Sequence, residues 1–361
     1  MSINRKLASI QQIRSIEPAE NADSLEVAII NNWRCVVQKG INSVGEKVLF
    51  FETDAFLPQI TLFEFLRKSC YKEMEDENGN LIGGFRLRTI KLRGNVSQGL
   101  VMPLDLDTVN YFYRLTYYSF DQMEIGTAVT DILNVKLFEP PIPEDLKGKV
   151  SGWPGNVPKT GAERLQNLNF NDIKDIVFYV TEKIDGVSTT FWKYNNEFHA
   201  ATRNWSINNN ADKSTYVWRL ANMYNLINTL PNNYVVQGEA IGPGTGSMKY
   251  ATHKPKSDID GLKFYVFNVY DIEHARYLSL LEMQDFCHKY SLDIVPISQS
   301  KFVFQTPDDI EFIFKAADNT KSELNSNVKI EGFVLHPVNH NQMYLFDRIK
   351  VISKQYELKG E

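Results

Sequence analysis

Residues 181–187 read Thr-Glu-Lys-Ile-Asp-Gly-Val. A lysine ends one β-prone run, Ile176–Lys183, and a tight Asp-Gly turn leads directly into a second run, Val187–Lys193. Such a lysine is held at the edge of a sheet, with its amine directed into the space that the sheet lines. By itself Lys-x-Asp-Gly is a weak signal, because Asp-Gly also favours an ordinary hairpin turn.

Five segments after Lys183 place reactive or charged side chains on predicted strands. They are Arg203-Asn204 at a strand end, Val235–Glu239 running into a carboxylate, the aromatic strand Phe264–Asp271, Glu331–Val334 beginning with an acid, and Arg348–Val351. Alternation along the last strand puts both of its cations on one face. An attacking amine, a stacking ring, acids for ribose and metal, and cations for phosphate are the parts that nucleotidyl transfer needs.

The chain divides at a connector rich in proline and glycine, from Glu139 to Ala162. This composition prevents regular structure, so we predict a junction near Gly155 and two domains, 1–150 and 156–361. The first domain reads as short strands broken by turn residues, which is typical of a small barrel or sandwich, with an OB-type barrel as one candidate. Its predicted strands are Leu7–Ile16, Leu25–Ile30, Arg34–Gln38 and Lys47–Phe51, followed by a helical or irregular insertion at Phe63–Glu77.

The second domain alternates strands and helices, which predicts an α+β fold built on antiparallel sheets. Apolar residues within Tyr216–Leu230 have the spacing of an amphipathic helix. Ser279 and Glu282 form a capping-box pattern that begins a second helix, and Thr306-Pro307 begins a third.

A basic run in the first domain is the best local candidate for binding a phosphate backbone. Arg86, Arg88, Lys91 and Arg93 punctuate apolar residues in the segment Phe85–Val101, so a strand pair there can carry a cationic stripe. The alternative is an ordinary solvated strand face.

Composition limits the class of protein. The 361 residues carry a net charge of −5, with 43% hydrophobic and 23% charged residues, which is typical of a globular protein. A polyanion therefore needs a local basic surface. The three cysteines lie far apart, which argues against a disulfide framework or a thiolate zinc site. No apolar run has the length of a signal peptide or a membrane span, so we expect a reducing, cytoplasmic location and no membrane partner.

In this order the features resemble the covalent nucleotidyltransferase superfamily of RNA ligases, ATP-dependent DNA ligases and mRNA capping enzymes. The resemblance covers residues 160–361. It is strongest to the RNA ligase 2-like group, and within it to nick-sealing, Deinococcus-type RNA ligases with an N-terminal OB domain. The phrases that carry it are residues 237–244, Lys350–Ser353, Asn21–Asp23 and Arg88–Gly94.

The resemblance implies a role for each site residue. Lys183 forms the lysyl–AMP bond, within a motif completed by Asp185 and Gly186. Glu182 lies near the adenine amino group, and Phe267 stacks on adenine. The remaining roles are Arg203 on a phosphate of ATP or of the RNA end, Glu239 on the ribose hydroxyls and a metal, Glu331 on a divalent ion or its water, and Lys350 with Arg348 at the α-phosphate. The implied cofactors are ATP and Mg²⁺ or Mn²⁺, and the implied partner is RNA, as a nicked duplex bound by a monomer.

Two departures from the family pattern bear on this reading. Arg348 stands where many relatives have lysine, so Lys350 is the firmer α-phosphate contact. Eleven residues follow Lys350, which leaves no room for the C-terminal OB domain of DNA ligases and capping enzymes. The expectation is therefore an ATP-dependent RNA ligase that joins 3′-hydroxyl and 5′-phosphate ends. The alternatives are a DNA ligase, a GTP-dependent capping enzyme, or a non-catalytic RNA-binding protein.

Two other patterns are interpreted as unrelated to catalysis. The loop Gly242–Ser247 lacks the Gly-Lys-Ser/Thr ending of a P-loop, and we interpret it as a flexible loop after the Glu239 strand. His336 and His340 have a spacing seen in metal sites, but Pro337 breaks the helix that would align them. We therefore expect both histidines at the surface.

Overall fold

The computed structural model describes residues 5–76, 79–142, 146–208, 215–339 and 347–359. Two compact units account for them. The first unit comprises residues up to 142 together with 166–169 and 354–359, and the second comprises 146–165 and 170–353. The second unit thus begins ahead of Gly155. Val150–Ser151 pairs with Ser206–Ile207, and the Trp153 indole donates to Val157 O at 2.7 Å.

The first unit is mostly β-structure. Its strands are β1 (Ala8–Pro18), β2 (Leu25–Ile30), β3 (Trp33–Gln38), β4 (Lys47–Phe51), β5 (Ala55–Pro58), β6 (Tyr71–Glu75), β7 (Leu81–Arg86), β8 (Thr89–Leu92), β9 (Asn95–Gln98), β10 (Leu100–Pro103) and β11 (Lys136–Leu137). Its helices are α1 (Arg67–Cys70) and α2 (Leu106–Thr116), with short 3-10 turns at Thr61–Leu66 and Phe120–Gln122.

Three sheets build this unit, in the strand orders β10-β4-β1-β2-β3, β11-β5-β7-β6 and β8-β9. The long strand β1 pairs with both β2 and β4, with an irregular register between Ile13 and Ser15. Such a bulge bends a strand and lets it serve two neighbours. Buried side chains of β1 and β4, among them Ile10 and Phe51, form the core with Phe63 and Phe112.

The second unit consists of two larger sheets with helices. Its strands are β12 (Val150–Ser151), β13 (Glu163–Arg164), β14 (Phe178–Lys183), β15 (Val187–Tyr194), β16 (Glu197–Ala201), β17 (Ser206–Ile207), β18 (Tyr234–Ile241), β19 (Lys263–Asp271), β20 (Arg276–Tyr277), β21 (Asp293–Ile294), β22 (Ile297–Phe302), β23 (Gly332–Pro337) and β24 (Ile349–Ile352). Its helices are α3 (Phe170–Ile173), α4 (Tyr216–Met223), α5 (Leu226–Thr229), α6 (Leu280–Lys289) and α7 (Asp308–Asn319); α8 (Lys354–Glu357) follows in the chain and groups with the first unit.

The larger sheet has the order β12-β17-β16-β15-β18-β19-β20, with β21 beside β19, and the second has the order β13-β24-β23-β14-β22. Most pairs are antiparallel; β13 with β24 and β21 with β19 are parallel. Helices α4 and α6 bury Trp218, Leu220 and Met283 against Phe264 and other residues of the larger sheet. The predicted α+β class is confirmed.

Local sequence signals agree with these elements, with one break. The capping box of Ser279 and Glu282 is formed at the start of α6, and α7 follows Pro307. The helix predicted over Tyr216–Leu230 is two helices, because Asn225 adopts φ 53°. Asparagine tolerates this left-handed conformation, which ends a helical turn.

Candidate active site

Lys183 lies where the two sheets of the second unit are connected. It is the last residue of β14, where it pairs with Gly332 of β23, and the turn Asp185-Gly186 then leads into β15 of the other sheet. Glu331 directly precedes β23, so the pairing brings its carboxylate to the amine. Lys183 Nζ lies 2.8 Å from Glu331 Oε1.

Glu239 approaches the same turn from β18. The backbone N–H of Gly186 donates to Glu239 Oε1 at 3.2 Å. A Cβ at position 186 would lie 2.4 Å from the carbonyl oxygen of Ala240, so only glycine permits this close approach of the turn to β18. The structure thereby brings together Lys183, Gly186, Glu239 and Glu331, all of which the sequence predicted as site residues.

Charge and burial act in opposite directions on this cluster. Burial alone lowers the pKa of Lys183, but the carboxylates of Glu331 and Glu239 outweigh it, and the pKa is raised above its ordinary value. Burial raises the pKa of Glu239 to about 7, although the charges of Lys183 and Arg203 oppose this rise. Arg203 is therefore close enough to act on both residues. In the free protein the amine is held as a paired cation.

The strand register places Lys350 on the same face of the sheet as Lys183. Thr181 of β14 lies opposite Val334 of β23, and Val334 lies opposite Lys350 of β24. Cross-strand partners point to the same face, and side chains alternate along each strand. Lys183, two residues after Thr181, thus shares this face with Lys350.

Arg348 lies on this face as well but is buried against aromatic rings. Its guanidinium carbon is 5.0 Å from the centroid of the Tyr277 ring, a cation–π distance. Burial raises the pKa of Tyr277, and the charge of Arg348 partly opposes the rise. The two cations of the last strand therefore have different surroundings, since Lys350 is only partly buried.

Phe267 is displaced from the regular ladder of β19. Gln237 pairs with Asn268 and Gly238 pairs with Val266, so Phe267 is the extra residue of a β-bulge. A bulge redirects its side chain, and the partly buried Phe267 packs beside the cluster that includes Ile184. Phe267 therefore lies against the cluster to which Ile184, the residue after Lys183, belongs.

Three residues that sequence reasoning missed hold Asp185. The Ser247 hydroxyl donates to the Asp185 carbonyl oxygen, and Lys249 Nζ pairs with the Asp185 carboxylate. The backbone N–H of Asp185 donates to the Tyr250 hydroxyl at 2.9 Å. The segment Ser247–Tyr250 thus contacts all three polar groups of Asp185. Asp185, Ser247 and Lys249 also line part of a cavity of about 520 Å³.

Lys249→Ala is expected to slow attachment of a nucleotide to Lys183 by about tenfold to a hundredfold, because it removes an ion pair that holds the Asp185 carboxylate. The measurement is the single-turnover rate of labelled nucleotide transfer to the protein. Lys254→Ala removes an exposed lysine of the same loop and serves as the control. Equal rates in both variants would show that the Lys249 pair does not support the turn.

Gly242–Ser247 is a loop after β18 that includes the Asp185-binding Ser247, and it is not followed by a helix, so the P-loop geometry is absent. The prediction of a surface position for His336 is wrong. His336 is 3% exposed, and its ring stacks on Tyr179 with centroids 4.6 Å apart and forms a hydrogen bond with the Thr181 hydroxyl at 3.0 Å. Strand β23 extends through it, and alternation turns it inward. His340 lies outside the described residues.

The basic run of the first unit is split between two sheets. Strands β8 and β9 form a hairpin whose cations Arg88, Lys91 and Arg93 are exposed. Arg86 instead ends β7, where it pairs with Asp54 at 3.2 Å and lies 4.5 Å from the Phe138 ring centroid. The expectation of a single stripe of four cations is corrected, because Arg86 is bound within its own sheet.

Carboxylates near Lys183 fit a metal only in part. Within the described ranges, no group of three or more His, Cys, Asp or Glu side chains is arranged to hold a metal ion. Glu239 and Glu331 flank the amine, and Mg²⁺ commonly takes one or two carboxylates and completes its shell with waters and substrate phosphates. The donor set fits an ion shared with a nucleotide.

Among the described helices, none has the length and hydropathy to cross a membrane.

Comparison with known proteins relates this geometry to one family. An RNA ligase model matches residues 176–352, and an OB-fold domain model matches residues 7–104. An apo mutant of Naegleria gruberi RNA ligase shares 30% identity at a TM-score of 0.79, with 100% of this chain and 99% of that chain covered. A mutant of the same ligase with AMP and Mn shares 31% identity at 0.78, and the ligase with PPi shares 30% at 0.77; both cover 98% of each chain. Comparison with curated protein sequences gives no match.

An OB fold followed by a sheet domain that presents a lysine between two acids defines a protein of the nucleotidyltransferase superfamily. The chain belongs to the RNA ligase family. The predictions of that family, of an enzyme and of an N-terminal OB domain are thereby confirmed.

Proposed function

We propose that the protein is an ATP-dependent RNA ligase that joins 3′-hydroxyl and 5′-phosphate ends through a lysyl–AMP intermediate. The observation that carries the proposal is the amine of Lys183, 2.8 Å from Glu331, beside Glu239 and on one sheet face with Lys350. Structures of the related Naegleria gruberi ligase contain ATP with Mn, AMP with Mn, or PPi, which supports the same nucleotide and a divalent ion here.

The proposed reaction has three steps, in each of which one bond to phosphorus forms and another breaks. The neutral amine of Lys183 attacks the α-phosphorus of ATP, an N–P bond forms, the bond to pyrophosphate breaks, and the amine loses a proton. An oxygen of the 5′-phosphate of one RNA end then attacks that phosphorus, a P–O bond forms, the N–P bond breaks, and the leaving lysine amine takes up a proton. Finally, the 3′-hydroxyl of the other end attacks the phosphorus of the 5′-phosphate and loses its proton, so that a phosphodiester forms as the bond to AMP breaks. Holding the reactants in line supplies much of the rate enhancement.

The remaining residues are assigned by position. Phe267 stacks on adenine beside Ile184, and Glu182 accepts from its amino group. Glu239 binds the ribose or the metal, and Lys350 contacts the α-phosphate from the shared face. Arg203 contacts a phosphate of ATP or RNA, and Arg348 supports this region from its place over Tyr277. A divalent ion bound by Glu331 and Glu239 supplies positive charge that offsets charge at the phosphates.

The hairpin β8–β9 is proposed as an RNA contact. Its cations Arg88, Lys91 and Arg93 are exposed, and Ile90 and Leu92 between them are 43% and 38% exposed. Glu357 accepts from Thr89 at 3.0 Å and from Gln98 at 2.7 Å, which fixes the base of the hairpin. A firmly held ribbon with exposed cations suits a phosphate backbone.

Replacing Arg88, Lys91 and Arg93 together with alanine is expected to weaken RNA binding and to reduce its log–log salt slope by about 2.5 to 3, because each phosphate contact releases counterions. Self-adenylylation stays near wild type. The measurement is a binding titration at several salt concentrations. The control is Lys68→Ala with Lys72→Ala, which removes two exposed cations outside the hairpin. An unchanged slope would assign the hairpin a structural role.

The substrate is proposed to be a nick in a duplex, sealed by a monomer in a reducing compartment. All three cysteines are free, which is compatible with such a location. A panel of nicked duplexes with RNA or DNA on each side, supplied with labelled ATP or GTP, tests the proposal. RNA sealing with ATP is expected. A preference for GTP would favour a capping enzyme, and equal sealing of DNA nicks would favour a DNA ligase.

A further inference from the structure

The carboxylate of Glu182 is fixed on both oxygens by one short segment. The Ser322 hydroxyl donates to Glu182 Oε1 at 2.5 Å, and the backbone N–H of Glu323 donates to Oε2 at 3.0 Å. Glu182 is 2% exposed and Ser322 is 3% exposed. Burying an ionised carboxylate is costly unless donors satisfy it, and these two donors satisfy the acid next to Lys183.

The direction of the serine hydrogen bond is determined by its neighbours. The Leu324 N–H can only donate, and it reaches Ser322 Oγ at 3.1 Å. An ionised carboxylate can only accept, so the single hydroxyl proton of Ser322 is directed to Glu182 while Ser322 Oγ accepts from Leu324. The segment itself is anchored by the Ser322 N–H, which donates to Val328 O at 2.8 Å. Glu182 thus faces a donor whose orientation is preset.

Glu182 borders the aromatic cluster that lies behind Lys183. Alternation along β14 turns Glu182 to the face opposite Lys183. Tyr250 and Ile184 belong to that cluster, and Tyr265, Phe267 and Leu324 pack against it. The charge of Glu182 contributes to raising the pKa of Tyr250 and of the partly buried Tyr265.

We propose that the segment Ser322–Leu324 selects the purine base, by holding Glu182 as a pure hydrogen-bond acceptor toward the 6-position of the nucleotide. Adenine carries an amino donor at that position, whereas guanine carries a carbonyl acceptor, which an ionised carboxylate repels. Buried polar groups matched to one partner discriminate strongly against the unmatched one. This inference rests on the proposed adenylyl transfer and deepens it, by adding a positioning residue, Ser322, that no motif of the family resemblance includes.

The charges around Glu182 support this role. Burial raises the pKa of Glu182, the hydrogen bonds from Ser322 and Glu323 oppose the rise, the charge of Glu323 adds to it, and Lys249 opposes it. Removing the Ser322 hydroxyl therefore favours the neutral carboxyl. A neutral carboxyl also donates, and it tolerates the guanine carbonyl.

The test is the ratio of single-turnover efficiencies for labelled ATP and GTP in forming the lysyl–nucleotide adduct on the full chain. Ser322→Ala is expected to lower the ATP:GTP ratio by about tenfold or more, mainly through weaker ATP binding. Ser353→Ala is the matched control. It removes a hydroxyl that donates to Asp318 Oδ1 at 2.9 Å and belongs to a residue 2% exposed, and it should keep the wild-type ratio.

A wild-type ratio in Ser322→Ala would overturn the inference while leaving the proposed function intact. Glu182→Gln provides a second variant that keeps the shape of the side chain and should also lose the preference for ATP. If Ser322→Ala fails to fold, this variant decides, and an unchanged ratio in it overturns the inference. Absence of any adduct in the wild-type protein would overturn the proposed function, and the inference with it.

Discussion

Lys183→Ala is expected to abolish the covalent AMP adduct, with a fall of about a thousandfold or more in adenylylation rate, because the nucleophile itself is removed. The attacking amine must reach phosphorus in line with the leaving pyrophosphate, and in the proposed site Lys183 supplies that amine. The measurement is transfer of label from ATP to the protein, followed by the acid lability expected of an N–P bond.

Two further variants distinguish loss of the nucleophile from loss of the ion pair between Lys183 and Glu331. Lys183→Arg keeps a cation for Glu331, and it should fold normally yet form no adduct, because guanidinium stays protonated. Lys193→Ala removes a lysine near the far end of β15 and should retain the adduct. If Lys183→Ala still bound AMP covalently, the proposed site would be wrong.

Glu331→Gln is expected to reduce adenylylation by about a hundredfold or more, through loss of a carboxylate that binds the divalent ion. The direction of the change in rate distinguishes a residue that binds the metal from one that only pairs with the amine. Glu331 contributes to the raised pKa of Lys183, so its neutralisation lowers that pKa and increases the neutral fraction of the amine near pH 7. A residue that only paired with the amine would therefore give a faster variant when removed.

The measurement is the adenylylation rate across pH at several concentrations of magnesium. In Glu331→Gln the rate should be low throughout, with its rise shifted to lower pH than in the wild type and with weaker dependence on magnesium. Glu311→Gln changes an exposed acid of α7 and is the control. A variant faster than wild type at neutral pH would refute the metal-binding role.

Much of the second unit was predictable because its signals are local. The capping box that the sequence predicts at Ser279 begins α6. The predicted strand Val187–Lys193 differs from β15 by one residue. In each case, alternation of apolar residues or a helix cap is written within a few residues of the chain.

The wrong predictions concern side chains whose positions depend on residues far away in the sequence. Arg86 resembles its neighbours in sequence, yet Asp54 binds it, 32 residues away. His336 was expected at the surface, but the register of β23 against β14 turns it onto Tyr179. No periodic pattern reports which side of a sheet a neighbouring element covers.

The sequence by itself determined the order of the chemistry: a lysine at a strand end, then acids, an aromatic strand and cations on a last strand. Alternation and turn preferences are properties of short segments, so they are readable from the chain alone. The tertiary structure alone decided how that chemistry is held. Asp185 meets Lys249 across 64 residues, and Glu182 meets Ser322 across 140. Hydrogen bonds of a few ångströms depend on the packing of whole sheets, and sequence spacing does not encode such distances.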